Sequence, residues 1–420
     1  MSPNQPVNVV PSEARTVYRA MGLLTDTSRL RFVGAVRFLA GATPDSTLAA
    51  VGLSLRNSSL TFVPGRGDFV AGYHVELTFQ GDSGAGRQVE RDETVRVGNV
   101  RETLRREESI IFQQFVAVRP GIYTVKVVVR DANSPAVGAA EEVDTVPRFA
   151  SPSVAEPLPV YEGAGRTQVT RIPQLVLNPR GTLRSGTDSL RFYVEGYRWR
   201  RGTRLVARVV APDTVELWRD TVALAGDTVL GSAQVVIKPG ALPLGRATLH
   251  VAAVGGDAHA VAPLLVTFSE RWAVADFNQM LTLLRYFPRQ DLVAKLRTAP
   301  REQRAAAWHE FYRESDSGAT TPQNEALDQY FRRVEDANQR FQEPSTPGWQ
   351  TDRGEVFITL GQPDEAFDIA GVAPGVRWEY THPHLSLVFK DETGGFGLYR
   401  LTRESRTDFE NALHLMRRTN

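Results

Sequence analysis

Gly348-Trp349-Gln350-Thr351-Asp352-Arg353-Gly354-Glu355-Val356-Phe357-Ile358-Thr359-Leu360-Gly361-Gln362-Pro363-Asp364-Glu365 is the stretch on which the reading of this chain turns. Turn chemistry, an apolar run and clustered charge coincide there. Pro347 and Gly348 hold the large Trp349 side chain on a tightly bent backbone. Thr351 and Asp352 can bond neighbouring amides and fix the turn. Gly354 then opens a predicted strand over residues 355–360, with Val356, Ile358 and Leu360 on one face and Phe357 on the other. Gly361-Gln362-Pro363-Asp364 ends it, because Pro363 cannot donate to a ladder. Arg353 lies among Asp352, Glu355, Asp364 and Glu365 in the sequence, which predicts an internal ion pair.

The run Gly348-Trp349-Gln350-Thr351-Asp352 resembles the signature of the GWxTD-domain family of bacterial proteins. The likeness continues through Arg353, Gly354, the apolar run, Gly361, Pro363, Asp364 and Glu365. Downstream it takes in Trp378-Glu379-Tyr380, Phe389-Lys390-Asp391 and Gly395-Phe396-Gly397-Leu398-Tyr399-Arg400-Leu401. Upstream it includes Thr321-Pro322-Gln323-Asn324-Glu325, followed by Tyr330, Arg332, Arg333, Ala337, Asn338, Arg340 and Phe341. Tyr312, Glu314 and Ser315 stand where the family tends to have Trp and Arg, so no basic patch is carried over there. The resemblance covers roughly the last third of the chain. It implies an exported bacterial protein and brings no activity with it.

The 420 residues are enough for several domains, and 42% hydrophobic residues can bury real cores. A formal net charge of +1 argues against an electrostatic nucleic-acid binder. Lys126, Lys238, Lys295 and Lys390 are the only lysines, so the basic charge is almost all arginine, which fits a GC-rich genome. With no cysteine, disulfides, thiolate chemistry and cysteine-ligated zinc are excluded for these residues. No stretch approaches the roughly eighteen consecutive apolar residues of a membrane-spanning helix. Met1-Ser2-Pro3-Asn4-Gln5-Pro6 is not a signal peptide; it reads as a cytosolic start or as a mature chain restarted with Met. The family resemblance favours the second, a periplasmic or extracellular protein peripheral to a membrane.

Taken in order, residues 1–28 read as a polar arm and a short helix, capped by Ser12, with Ala14, Val17, Tyr18 and Met21 at helical spacing. Residues 29–148 carry short strands at 30–38, 48–55, 69–79, 88–97, 109–118 and 123–130, a first immunoglobulin-like β-sandwich. Residues 149–268 carry strands at 190–197, 203–210, 214–223, 232–237 and 245–254, a second one in tandem. The run 245–254 repeats the layout of 121–130, so duplication is one origin for the pair. Residues 269–343 are a helical connector with apolar stripes through Trp272, Phe277, Met280, Leu281 and Leu284, then Leu292, Val293 and Leu296. Thr321 and Pro322 are read as the start of its last helix. Residues 344–420 form a small antiparallel α+β domain with strands at 355–360, 376–380, 385–390 and 396–401 and a terminal helix over 404–418. The fold class is thus multidomain, mainly β with α+β.

Candidate chemistry is sparse. Gly81-Asp82-Ser83-Gly84 resembles the nucleophile turn of chymotrypsin-like proteases, but only His74 precedes it, in the same predicted strand, and a hairpin turn is the better reading. Arg66-Gly67-Asp68 reads as an exposed turn in preference to an adhesion tripeptide. His382-Pro383-His384 is the one close His pair, and Asp352, Glu355, Asp364 or Glu365 could add a carboxylate for a metal or for hydrolysis. Against this stand Arg353 among the acids, Pro383 in a turn, and the lack of any ligand-spacing signature.

The functional expectation is a non-catalytic scaffold or accessory subunit, docking onto another protein subunit of a cell-envelope or membrane-associated assembly. It has no nucleic-acid partner, no cofactor and no metal. On this reading Gly348, Trp349, Thr351, Asp352, Arg353, Gly354, Gly361, Pro363, Asp364 and Glu365 hold the fold or form an interface. One alternative is a carbohydrate-binding module using Trp199, Trp218 or Trp349, which requires an exposed ring. The other is an envelope hydrolase with its site around Asp352, Glu355 and His382/His384.

Overall fold

The computed structural model describes residues 14–419 except 27, 29, 82–85, 105–107, 150–151, 186–188, 269–273, 275, 317–323, 372–373 and 395–396. The arm with Ser12, the Asp82-Ser83-Gly84 turn, Trp272, the Thr321-Pro322 helix start and Gly395-Phe396 lie outside the described residues. The chain is mainly β, with sheets that are antiparallel except where β13 joins β20, accompanied by helices, and its contacts divide it into two compact units, the boundary falling between Asp276 and Phe277.

The first unit opens with helix α1 (Ala14–Ala20) and strands β1 (Leu24–Thr25), β2 (Phe32–Ala40), β3 (Thr47–Arg56), β4 (Val63–Pro64), β5 (Phe69–Gly81) and β6 (Gly86–Val97). A turn of helix, α2 (Val100–Thr103), leads to β7 (Glu108–Val118), β8 (Gly121–Asp131) and β9 (Val137–Val146). One sheet runs β1-β2-β3-β7; the other runs β4-β5-β8-β9, with β6 also on β5. Between them lies a core of alternating residues, including Val51, Leu53, Leu55, Val75, Leu77, Phe79, Phe112, Val125, Val127 and Val129. The sequence-predicted strands here all form. The charged strand β9 and the short β1 and β4 were not expected.

The chain continues through β10 (Ser153–Val154), β11 (Leu158–Gly165), β12 (Gln174–Leu177), β13 (Thr182–Arg184), β14 (Leu190–Tyr197) and β15 (Arg204–Val210). Then come β16 (Glu216–Ala223), β17 (Ala225–Gly226), β18 (Leu230–Ile237), β19 (Gly245–Ala253) and β20 (His259–Thr267). These form two sheets, β12-β11-β14-β18-β17 with β10 on β14, and β13-β20-β19-β15-β16. Strands β10–β13, β17 and β20 go beyond those expected from the sequence, and β20 carries Pro263 at its middle. The proline is tolerated because β13 pairs with β20 only from Leu265 onward, leaving Pro263 opposite β19 alone.

Strand β3 does not alternate: from Thr47 to Leu55 every residue is buried. Its sheet is covered on both faces, as continuous apolar runs require. Val51 and Leu53 face the core just described. Leu48 and Ala50 join Leu39 in a second core with Leu158, Val160, Leu175, Leu177, Tyr193 and Tyr197. The Gln113 side chain binds both ways across this seam, donating to the Leu175 carbonyl at 2.8 Å and accepting from the Leu177 amide at 3.0 Å. Helix α1 closes one side, with Val17, Tyr18 and Met21 packed with Ala35 and Leu265.

A buried ion pair lies at the same seam. Arg166 donates to both Glu195 oxygens, at 2.9 and 2.8 Å, and both side chains are sealed from water. Tyr193 and Tyr197 also donate to Glu195. The remaining Arg166 protons go to the carbonyls of Val169, Arg171 and Ala40. Two desolvated charges persist because every donor is matched. Glu195→Ala would leave a guanidinium and two hydroxyls stranded, and is expected to destabilise the first unit by about 3–5 kcal/mol in urea unfolding.

A less balanced cluster joins β2 to β9 and to the segment before β11. Arg37 pairs with Glu156 at 2.9 Å and faces Glu142 and Asp144, two residues apart on one side of β9. Burial first, then the Asp144 and Glu156 carboxylates, push the Glu142 carboxyl from 4.5 up to about 7, while Arg37 pulls it down. A raised acid favours the folded state when protonated. Its contribution is therefore full below about pH 4.5 and is lost as the pH rises through about 7. Urea midpoints of the wild type should fall between pH 5 and pH 8 by more than those of Glu142→Gln.

The second unit holds helices α3 (Phe277–Leu283), α4 (Gln290–Thr298), α5 (Arg304–Glu314), α6 (Glu325–Arg340) and α7 (Asp352–Leu360). Strands β21 (Glu365–Ile369), β22 (Gly375–Tyr380), β23 (Leu385–Asp391) and β24 (Tyr399–Leu401) follow, then helix α8 (Arg403–Thr419). The strands make one antiparallel sheet in chain order. Aromatic contacts run through the unit: Phe287 meets Phe311 and Tyr330, while Phe341 meets Phe357 and Trp378, which meets Phe389. Helix α6 is capped by Asn324, whose Oδ1 accepts from the Leu327 amide at 2.7 Å. Asn324 is itself held by Tyr312 and Ser315.

The expected strand over 355–360 is corrected: these residues are in helix α7, and β21 supplies the fourth strand. Val356, Phe357 and Ile358 are all buried, so the run shows neither period cleanly. The ends decide it. Thr351 caps the helix, Asp352 and Glu355 occupy its first turn, and Gly361 closes it at φ 91°.

Candidate functional site around Trp349

Gly348, Trp349 and Gln350 form a single tight helical turn. The turn lies so close to helix α6 that a Cβ on Gly348 would sit 2.3 Å from the Ala337 carbonyl oxygen. A Cβ on Gly354 would fall 1.9 Å from the Gly348 oxygen. Between these two glycines, Thr351 Oγ1 donates to the Gly348 carbonyl at 2.8 Å and accepts from the Gly354 amide at 3.1 Å. Gly354 therefore does not open a strand; it lets the first turn of α7 rest on the turn before it. Trp349 is 1% exposed, and the guanidinium of Arg285 lies 5.5 Å from the indole.

The charged residues of the stretch are distributed differently from expectation. Asp352 accepts from the Leu401 amide at 2.7 Å, tying α7 to β24, and pairs with Arg406 at 3.0 Å. Glu355 pairs with the same arginine at 2.7 Å. Arg406, on α8, is the counter-ion, and no local pattern marks it because it lies some fifty residues downstream. Among the described residues Arg353 makes no ion pair. Its guanidinium stacks 3.9 Å over Tyr399 and 5.3 Å from Phe341, and burial holds its pKa below the usual arginine range. Glu343, fully buried, binds Arg400 at 2.9 Å and the Tyr399 amide at 3.2 Å. Gly361 has its carbonyl bound by the Tyr380 hydroxyl at 3.1 Å, and Arg333 donates to the last carbonyls of α7. Pro363 is half-buried; Asp364, exposed, accepts from the Thr381 amide at 2.6 Å, and Glu365 begins β21.

Such an arrangement does little chemistry. Asp352 and Glu355 converge on one arginine, with no paired acid and base facing a cleft. His382 and His384 are exposed in the turn between β22 and β23, with ring centres 5.7 Å apart. Among the described residues, no group of three or more His, Cys, Asp or Glu side chains is placed to hold a metal ion. Trp349 offers no face to a sugar. Trp199 is half-buried with its Nε1 donating to the Ser153 carbonyl at 2.9 Å, and Trp218 is half-buried on β16. Arg66-Gly67-Asp68 is a turn between β4 and β5, with Asp68 paired to Arg96 at 2.9 Å.

Residues 251–414 match the family model described as the GWxTD domain. The chain carries a GWxTD domain. No curated protein matches the chain. Among solved structures, it is similar to trypsin-activated alpha-2-macroglobulin from Escherichia coli at 13% identity with a TM-score of 0.19. That likeness covers 58% of this chain and only 17% of the other, and a score so low supports no argument about fold or function. No helix among the described residues is long and apolar enough to cross a membrane.

The GWxTD glycines give a direct test. Gly354→Ala must force the first turn of α7 and the Gly348 peptide apart, and should destabilise the second unit by about 3 kcal/mol. Gln350→Ala, between the same elements but with no such contact, should change the urea midpoint little.

Proposed function

We propose that the chain is a non-catalytic scaffold or accessory subunit that docks onto another protein of a cell-envelope or membrane-associated assembly. The signature residues serve the domain's own construction in this reading, and docking uses an open sheet edge. The observation that carries it is strand β21. All five of its residues are exposed; among the described residues it is hydrogen-bonded to β22 alone, and Phe367 and Ile369 are 42% and 36% exposed. Edge strands are ordinarily defended by charge. Strand β6 is, with Arg87, Glu90, Arg91, Asp92, Glu93 and Arg96 along an exposed edge. Strand β21 carries Glu365 and Asp368 but also shows two large apolar side chains on one face, with the Arg377 guanidinium 5.1 Å from the Phe367 ring. An extended partner segment added there would gain backbone hydrogen bonds and two apolar contacts.

An envelope location rests on the family resemblance. The test is capture from the native membrane fraction with this chain as bait. A stoichiometric partner retained by the wild type and lost with Phe367→Asp is the expected result. Retention unchanged by Phe367→Asp would remove the role of β21, and no retained partner would remove the scaffold reading.

A further inference from the structure

The first unit contains a crevice of about 210 Å³ between the β2–β3 turn and the end of β14. We propose that it binds a small carboxylate bearing one aromatic or branched apolar group, as a free acid or as the C-terminal residue of a polypeptide. This does not rest on the docking role of β21.

Three features carry the assignment. The first is size. The space exceeds the cavity of about 150 Å³ that accommodates benzene, and falls short of the roughly 300–1,000 Å³ of drug-sized sites. It therefore fits one ring or one branched side chain with a few further atoms. The second is the wall. Phe149 and Tyr197 stand edge-to-face with centroids 4.9 Å apart; Pro44, Val169 and Val229 add apolar surface, and Thr43 and Ser46 of the β2–β3 turn line the mouth with them. The Tyr197 hydroxyl is engaged with Glu195 and the Ala40 amide, so the side chain presents its ring.

The third feature is charge. No acidic side chain lines the crevice, and Arg198 does. Among the described residues no carboxylate lies within ion-pair distance of Arg198. Its backbone sits at φ 62°, a left-handed conformation uncommon for a residue with a Cβ, and its amide donates to the Val229 carbonyl at 3.3 Å. An exposed arginine with no acidic partner among the described residues, beside a crevice with aromatic and aliphatic walls, is complementary to a carboxylate with an apolar body.

Calorimetric titration of the whole chain with N-acetyl-L-phenylalanine tests this, with the corresponding amide as the uncharged control. The acid should bind with a Kd on the order of 1 mM, as a ligand of so few atoms allows, and the amide about tenfold more weakly. Arg198→Gln should remove the difference between acid and amide. Val229→Trp, at an exposed rim position, should abolish binding of both with the urea midpoint unchanged. A pentapeptide ending in phenylalanine, binding more tightly than the free acid, would identify a chain end as the source; weaker binding would identify a free acid. Equal binding of acid and amide, no heat at 10-fold the expected Kd, or binding untouched by Val229→Trp would each overturn the assignment.

Discussion

At Gly348 three pieces of backbone meet with no side chain between them. Its peptide lies against the Ala337–Asn338 segment of α6, and the first turn of α7 rests on its carbonyl at Gly354. Thr351 fills the small space left, with its hydroxyl serving both sides. Everything else in the GWxTD unit follows from that approach. It directs Trp349 inward, starts α7 along the sheet, and brings Asp352 to the Leu401 amide and Arg406. Close backbone packing is unforgiving, because a single Cβ must displace main chain.

The strand-rich unit depends on a different constraint, a sheet buried on both faces. Leu48 and Ala50 face one core, Val51 and Leu53 the other. Burying a sheet twice removes most of its edge-on access to water, so polar groups at the seam need complete partners. The Arg166–Glu195 network and the two-way bonds of Gln113 meet that demand. The Arg37 cluster meets it only in part, which is why the Glu142 carboxyl there is pushed up to about 7.

Much of this was legible in the residues. Strands β2, β5, β7, β8 and β14 announce themselves by β-branched and aromatic residues between turn residues, β3 by a continuous apolar run. The signature marks the GWxTD domain without a structure. The misreading of residues 355–360 has a specific origin: Val356, Ile358 and Thr359 favour strands by propensity, yet Thr351, Asp352 and Gly361 are helix boundary signals. Helix α6 is capped by Asn324, which Tyr312 and Ser315 orient from α5 and the residue after it, a contact that no local pattern marks. Proximity in sequence pairs Arg353 with nearby acids, whereas the fold stacks it on Tyr399.

The sequence by itself determined a cysteine-free, nearly neutral, mainly β chain, the places of most strands, and the helices of the second unit other than α7. Composition, periodicity and turn residues act locally, and local signals survive being read one stretch at a time. Tertiary structure alone decided that Trp349 is sealed, that Asp352 and Glu355 share Arg406, that Arg353 stacks on Tyr399, and that β21 is left open at its edge. Each of these depends on groups tens of residues apart meeting in a desolvated space, where the energy of an ion pair or a stacked guanidinium is set by its surroundings and not by its neighbours in the chain.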